Sequence, residues 1–198
     1  MGVVKTKDKT LIWLTLSAAL ILMITMGGRQ SMGLFVSPLN TSTGLGIATI
    51  SFALAVAQFV WGVSQPLFGM IADRYGPGRV IVAGGLLLAV GYSLTCLASN
   101  EWMLIFSLGM VMAAGAGAGS FSVLIGATAG RLPPEKRAFA AGFINAGGSF
   151  GQFLFAPIAQ ALINAYSWIT AMLFFALSSL LTIPFARALR RQAVPAQS

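Results

Sequence analysis

One arginine, Arg29, stands inside a long apolar run, and no aspartate or glutamate occurs within any such run. A guanidinium at mid-bilayer costs roughly 2.5–3.5 kcal/mol on insertion scales, so it needs a wet cavity or a partner. With no carboxylate at hand, the partner that fits is a solute bringing one, because guanidinium grips a carboxylate through two parallel hydrogen bonds. The competing placement is an arginine that snorkels to the outer headgroups. Two polar stripes accompany it. Ser51, Ala55, Gln58, Gly62, Gln65 and Gly69 recur at spacings of four and three, and Asn145, Ser149 and Gln152 do likewise. Each set therefore lies on one face of a helix. Amides facing lipid are costly, so both faces are expected to look inward, onto a cavity or onto a neighbouring helix. Arg29, Gln58, Asn145 and Gln152 are the candidate substrate contacts, and the chemistry is reversible capture of a small anion.

The same inventory excludes other chemistries. Histidine is absent and the only cysteine is Cys96, within an apolar stretch; a Cys/His metal centre and an intrachain disulfide are both ruled out. Asp8, Asp73, Glu101 and Glu135 all fall outside the apolar runs, so no acid, base and nucleophile converge, and an enzyme is not expected. No phosphate-binding glycine loop is present, and no cofactor is implied. The net charge of +8 invites a nucleic-acid reading. Basic residues that bind nucleic acid would cluster on one face among aromatics, whereas here they fill short gaps between apolar runs.

Those runs are the elements that must position the arginine. The chain is 57% hydrophobic and only 8% charged over 198 residues, against about 25% charged in a soluble domain. Apolar runs cover 11–37, 47–72, 80–99, 102–130, 139–165 and 168–186, each long enough to cross about 30 Å of hydrocarbon at 1.5 Å per residue. Inside lipid every backbone group must be paired within its own segment, so the runs are helices; unbroken runs of this length do not suit barrel strands. The fold class is an all-α membrane protein. Its expected organisation is a tail over 1–10, a six-helix bundle over 11–186 and a second tail over 187–198. The first run is too long for the apolar core of a signal peptide and contains Arg29, so it reads as a retained span.

Every basic residue other than Arg29 lies on one side of the six spans. Lys5, Lys7 and Lys9 precede the first, and Arg74 and Arg79 follow the second. Arg131, Lys136 and Arg137 follow the fourth, and Arg187, Arg190 and Arg191 follow the sixth. The positive-inside rule puts both termini in the cytoplasm, which fits a multi-pass protein of the plasma membrane. Trp13, Trp102 and Trp168 stand at run ends as interface anchors. Pro38, Pro66 and Pro157 are candidate kinks, and Pro133-Pro134 reads as a stiff loop.

The junction of the second and third runs reads Gly69-Met-Ile-Ala-Asp73-Arg74-Tyr-Gly76-Pro-Gly-Arg79. It resembles the signature loop of the major facilitator superfamily. The residue types suit such a loop, since Gly69 admits a close neighbour, Gly76 permits a tight turn, and Asp73 places a negative charge at a helix end. The resemblance implies that Asp73 latches against a helix N-terminus of the opposite half in the outward-open state. Gly78 departs from the pattern, standing where many members carry a second basic residue. Gly115 and Gly119, and Gly147 and Gly151, have the small-xxx-small spacing that lets helices approach closely. The fourth run lacks the arginine of many proton-coupled facilitators. The fifth lacks the Gly-Pro…Gly-Gly pattern of drug antiporters, which argues against a multidrug exporter.

The entry to the fifth run, Lys136-Arg137-Ala138 through Asn145-Ala146-Gly147-Gly148-Ser149 to Gly151, resembles the monocarboxylate and oxalate/formate transporters. Members of that branch also carry a cationic residue just before a run like Ser31-Met-Gly-Leu-Phe35. The resemblance implies secondary transport by alternating access between two six-helix halves, each made of two three-helix repeats. The implied substrate is a small organic anion such as a monocarboxylate, with a proton as candidate co-substrate; the residues alone leave a neutral sugar or drug-like cation open. The expected partners are the lipid bilayer, the solute and a second half. Six spans are half of what such transporters carry. The chain is thus expected to be a fragment or inactive truncated product, one partner of a separately encoded or identical half, or a non-transporting membrane interaction protein.

Overall fold

The computed structural model describes residues 2–190, with side chains from position 11 onward. Six helices are long and apolar enough to cross a membrane: α1 (Leu11–Thr43), α2 (Ile47–Tyr75), α3 (Pro77–Thr95), α4 (Glu101–Ala129), α5 (Pro134–Ala165) and α6 (Trp168–Leu189). No strand occurs among the described residues. The helical backbone begins at Gly2, so it runs through the segment expected as the first tail. The side chains of Lys5, Lys7, Asp8 and Lys9 lie outside the described residues, as does everything from Arg191 onward. At the other tail, Arg187–Leu189 winds on as a short 3-10 turn.

The helix ends correct the sequence reading where proline misled it. α1 passes its expected end and runs six residues further. Its α-helical part gives way to a 3-10 turn over Ser31–Phe35 and resumes over Val36–Thr43. Pro38 falls in the first turn of that resumed helix, where its missing N–H is no loss. Gly44 stops it at φ 69°, the left-handed C-cap conformation that suits glycine. Pro134 is likewise the first residue of α5 and not part of a stiff loop. Pro66 and Pro157 lie inside continuous helices. The remaining irregularities are in α4: a π-helical stretch over Ile105–Met112 and an interruption at Gly119 and Ser120, after which Phe121–Ala129 restarts.

Packing follows a pseudo-symmetric scheme. α1 packs chiefly on α5, α2 on α4, and α3 against both α4 and α6. Exchanging the first three helices with the last three maps α1–α5 onto α4–α2 and returns α3–α6 to itself. Burial obeys the same exchange: 61% for α1 and 67% for α4, 22% for both α2 and α5, 50% and 44% for α3 and α6. Two three-helix repeats therefore build the unit, and α2 and α5 are left largely uncovered.

Close approach between helices uses glycine. A Cβ at Gly147 would stand 2.6 Å from the Ala19 carbonyl oxygen, and one at Gly151 would overlap the Met23 carbonyl. A Cβ at Gly115 would meet the Leu88 amide nitrogen at 2.6 Å, and one at Gly119 the Thr25 methyl at 2.6 Å. In lipid, van der Waals packing of this kind is the main force between helices. The core near the ends opposite the basic loops is aromatic. Phe175 is 1% exposed and sits 5.7 to 5.9 Å from the rings of Phe35, Tyr92, Phe155 and Phe174, each pair contributing about 0.5–1.5 kcal/mol beyond its area. Phe35 belongs to the 3-10 turn, so this cluster fixes the segment that follows Arg29. Trp13 and Trp102 are exposed at opposite ends of the bundle.

Candidate functional site

Arg29 closes the α-helical part of α1 and is half-buried. Because α1 continues to Thr43, it lies roughly 20 Å along the helix from that C-terminal end, deeper than its run length implied. Its guanidinium is not solitary. Nη1 donates to the Gln30 side-chain oxygen at 2.9 Å, and Nη2 donates to that of Gln58 on α2. Cζ lies 3.9 Å over the ring of Trp61, in cation–π geometry. All three partners are neutral, and two of the five N–H donors of the guanidinium are engaged. The carboxylates among the described residues, Asp73, Glu101 and Glu135, stand at the ends of spans.

The structure thus brings Arg29 and Gln58 together. It does not bring Asn145 or Gln152 to them. Gly27 meets Gly151 and Phe155 of α5, which sets Arg29 level with Phe155 or just beyond. Gln152 is then about one turn away along the membrane normal, and Asn145 nearly three. Both polar stripes lie on open faces. Ser51, Gln58, Asn145 and Ser149 are exposed, and the face that α2 buries is Ile50, Ala53, Ala57 and Ser64 instead. The expected inward orientation is not met within this bundle, because small apolar residues make the helix contacts. Gln30 and Trp61 escaped the sequence reading. Trp61 sits one turn from Gln58 on α2, and that spacing beside a cationic residue was the available signal.

At the ends that carry the basic loops, α1, α2, α4 and the end of α6 surround a cavity of ≈ 1020 Å³ lined by Trp13, Gly69, Asp73, Ser122, Arg131 and Arg187 among others. Asp73 and Arg74 belong to the last turn of α2, Arg74 lying 5.4 Å from the Tyr75 ring. Gly76 makes the turn with φ 94° and bonds its N–H to the Ala72 carbonyl at 2.9 Å. Gly69 was expected to admit a close neighbour, but open space surrounds it within this chain. Gly78 has the contact that the sequence did not reveal: a Cβ there would strike the Ala186 carbonyl at 3.0 Å and the Arg190 side chain at 2.9 Å. A basic residue at this position would collide with the end of α6. Arg79 is exposed.

Arg131 fastens the same end. It donates to the carbonyls of Ala188 at 3.0 Å and Leu189 at 3.4 Å, and also to that of Arg190. A cation on the last carbonyls of a helix complements its dipole. Partial burial lowers the Arg131 pKa from the ordinary arginine value.

The Major Facilitator Superfamily model matches residues 18–198. The oxalate:formate antiporter of Oxalobacter formigenes is 29% identical over 153 residues, 77% of this chain and 36% of its own length. Monocarboxylate transporter 13 of Rattus norvegicus is 27% identical over 167 residues, 84% of this chain and 39% of its own. Among solved structures, the transporter FucP in its outward conformation superposes with a TM-score of 0.74 at 14% identity, over 90% of this chain and 43% of that one. The xylose transporter XylE from E. coli, inward open, gives 0.75 at 16% identity, over 89% and 48%. The chain spans less than half the length of each of these proteins.

Proposed function

The chain belongs to the major facilitator superfamily, and from that premise we propose that, joined to a second six-helix half, it carries a small organic anion across the plasma membrane by alternating access, with Arg29 holding the anion's charge. The observation that carries this reading is a guanidinium deep in a span, steadied by two amide oxygens and an indole face, with no carboxylate among the described residues in reach to neutralise it. The amides and Trp61 orient the group; the remaining donors are left for a solute. Relatives named for oxalate, formate and monocarboxylates support a carboxylate as that solute.

The second half seats on the side where α2 and α5 are open. Gly62 and Gly69 on α2 and Gly126 on α4 have no atom within 4 Å of a Cβ position, leaving room for helices to approach closely. Asp73 at the cytoplasmic mouth would meet a helix N-terminus of that half as the outward-open latch. Similarity of this bundle to both an outward and an inward structure, to the same degree, supports halves that rock as rigid bodies. The basic loops favour both termini in the cytoplasm, and a proton is the candidate co-substrate.

The test is uptake into proteoliposomes containing the complete transporter, with labelled acetate, formate and oxalate set against a neutral hexose. Saturable uptake of at least one carboxylate with none of the hexose is expected. Hexose uptake that carboxylates fail to inhibit would overturn the reading.

A further inference from the structure

The cavity at the basic-loop end carries charge that the Arg29 site does not use, and the inference rests on the proposed carriage of an organic anion. Its charged lining is Asp73, Arg131, Arg187 and Arg190, three guanidinium groups against one carboxylate. The arginines are held in place. Arg131 grips the carbonyls of Ala188, Leu189 and Arg190, so it fixes the turn that carries the other two. The Arg190 stem lies over Gly78, where a Cβ would meet its Cγ at 2.9 Å. Both Arg187 and Arg190 are exposed, and neither side chain has a hydrogen bond or ion pair among the described residues. Asp73, on the same lining, pairs with neither of them.

This space suits collection of an anion more than a tight grip on one. Its volume of ≈ 1020 Å³ matches the upper end of pockets that enclose drug-sized ligands, roughly 300–1,000 Å³. A small carboxylate therefore enters it hydrated and is held by the field of the arginines. Leu11, Leu14 and Val123 supply apolar walls. A cleft with such walls and one dominant sign of charge focuses field lines and concentrates counter-ions. The cavity also leads toward Arg29. Ser122 lines it and donates to the Gln65 side-chain oxygen at 3.2 Å. Gln65 lies two turns along α2 from Gln58, the partner of Arg29, or about 10 Å.

We propose that Arg131, Arg187 and Arg190 make this cavity an electrostatic antechamber, which delivers the carboxylate to Arg29 from the face that carries the basic loops. The opposite face has no counterpart: among the described residues its one charged side chain is Glu101. The two faces of the transporter therefore differ in KM, and only the KM of the basic face responds to salt.

The experiment measures acetate KM and maximal rate from each face, using right-side-out and inside-out vesicles that contain the complete transporter. Salt is set at about 10 mM and about 150 mM, where screening lengths are about 30 Å and 8 Å. Maleimide labelling of Lys136→Cys in a Cys96→Ala background identifies the basic face. At low salt its KM should be the lower of the two, and Arg187→Gln with Arg190→Gln should raise it about three- to fivefold at unchanged maximal rate. The higher salt should do the same to the parent, and the other face should not respond to either change. Arg187→Lys with Arg190→Lys keeps the charge and should hold the parental KM. An unmoved KM in the glutamine pair, or an equal rise at both faces, would overturn the antechamber. So would a fall in maximal rate at both faces, the result expected of arginines that fasten the second half. Arg29→Ala reports separately: normal uptake in that variant defeats the Arg29 reading and this inference with it, whereas lost uptake beside a parental glutamine pair defeats only this inference.

Discussion

Replacing Gln58 by glutamate converts the neutral partner of Arg29 into a competitor for the solute. The two side chains are isosteric, and the Gln58 oxygen already receives the Nη2 hydrogen, so no rearrangement is needed to form an ion pair. The Arg29–Gln58 bond already has an ionised donor, so the gain comes from the added carboxylate charge, which attracts the guanidinium by about 4 kcal/mol at an effective dielectric near 20 and loses about 2–3 kcal/mol of that to its own desolvation. The gain is then about 1.5 kcal/mol, and an external carboxylate must overcome it before it binds, a loss of about tenfold in affinity. Gln58→Glu should raise thermal stability of the purified protein while raising the carboxylate KM about tenfold in proteoliposomes. Gln58→Ala removes an orienting contact without supplying a competitor and should cost affinity without the gain in stability. If Gln58→Glu binds carboxylate as well as the parent, the reasoning is wrong, because Arg29 then does not hold the solute.

Other substitutions test the framework. Gly151→Ala drives a methyl into the Met23 backbone and should destabilise the α1–α5 contact by about 1–3 kcal/mol, whereas Gly142→Ala, which faces open space inside α5, should hold or raise the melting temperature in detergent, because alanine is the better helix former. Gly78→Lys restores the family's basic residue but collides with Ala186 and Arg190; a lower melting temperature than the parent is expected, and an increase would contradict the packing described. Arg131→Ala releases the carbonyls at the end of α6 and should speed amide exchange over residues 187–190, with Arg131→Lys intermediate.

Hydropathy makes the spans legible, because lipid forces each long apolar run to satisfy its own backbone. It fails at Pro38 and Pro134 for a physical reason: proline in the first turn of a helix is benign, and composition does not show where that turn begins. Spacing does not separate Gly69 from Gly147. Both have the sequence context of a close approach, and only the presence of Ala19 opposite Gly147 distinguishes them. Gly78 looks like a lost charge because its neighbour, the end of α6, is more than a hundred residues away in sequence. Arg29 and Gln58 are both legible as polar groups in apolar runs. Their contact, and the place of Trp61 beneath the guanidinium, depends on how α1 meets α2. The interruption of α4 is hidden within a glycine-rich stretch whose residues also serve packing.

Arg29 is the seat proposed for the solute's charge, and initial-rate uptake of a labelled carboxylate by the complete transporter carrying Arg29→Ala tests that role most directly, with membrane insertion checked in parallel. Uptake abolished in a normally inserted protein, and partly regained by Arg29→Lys, is the predicted result. Uptake by Arg29→Ala at the parental rate and KM would contradict it.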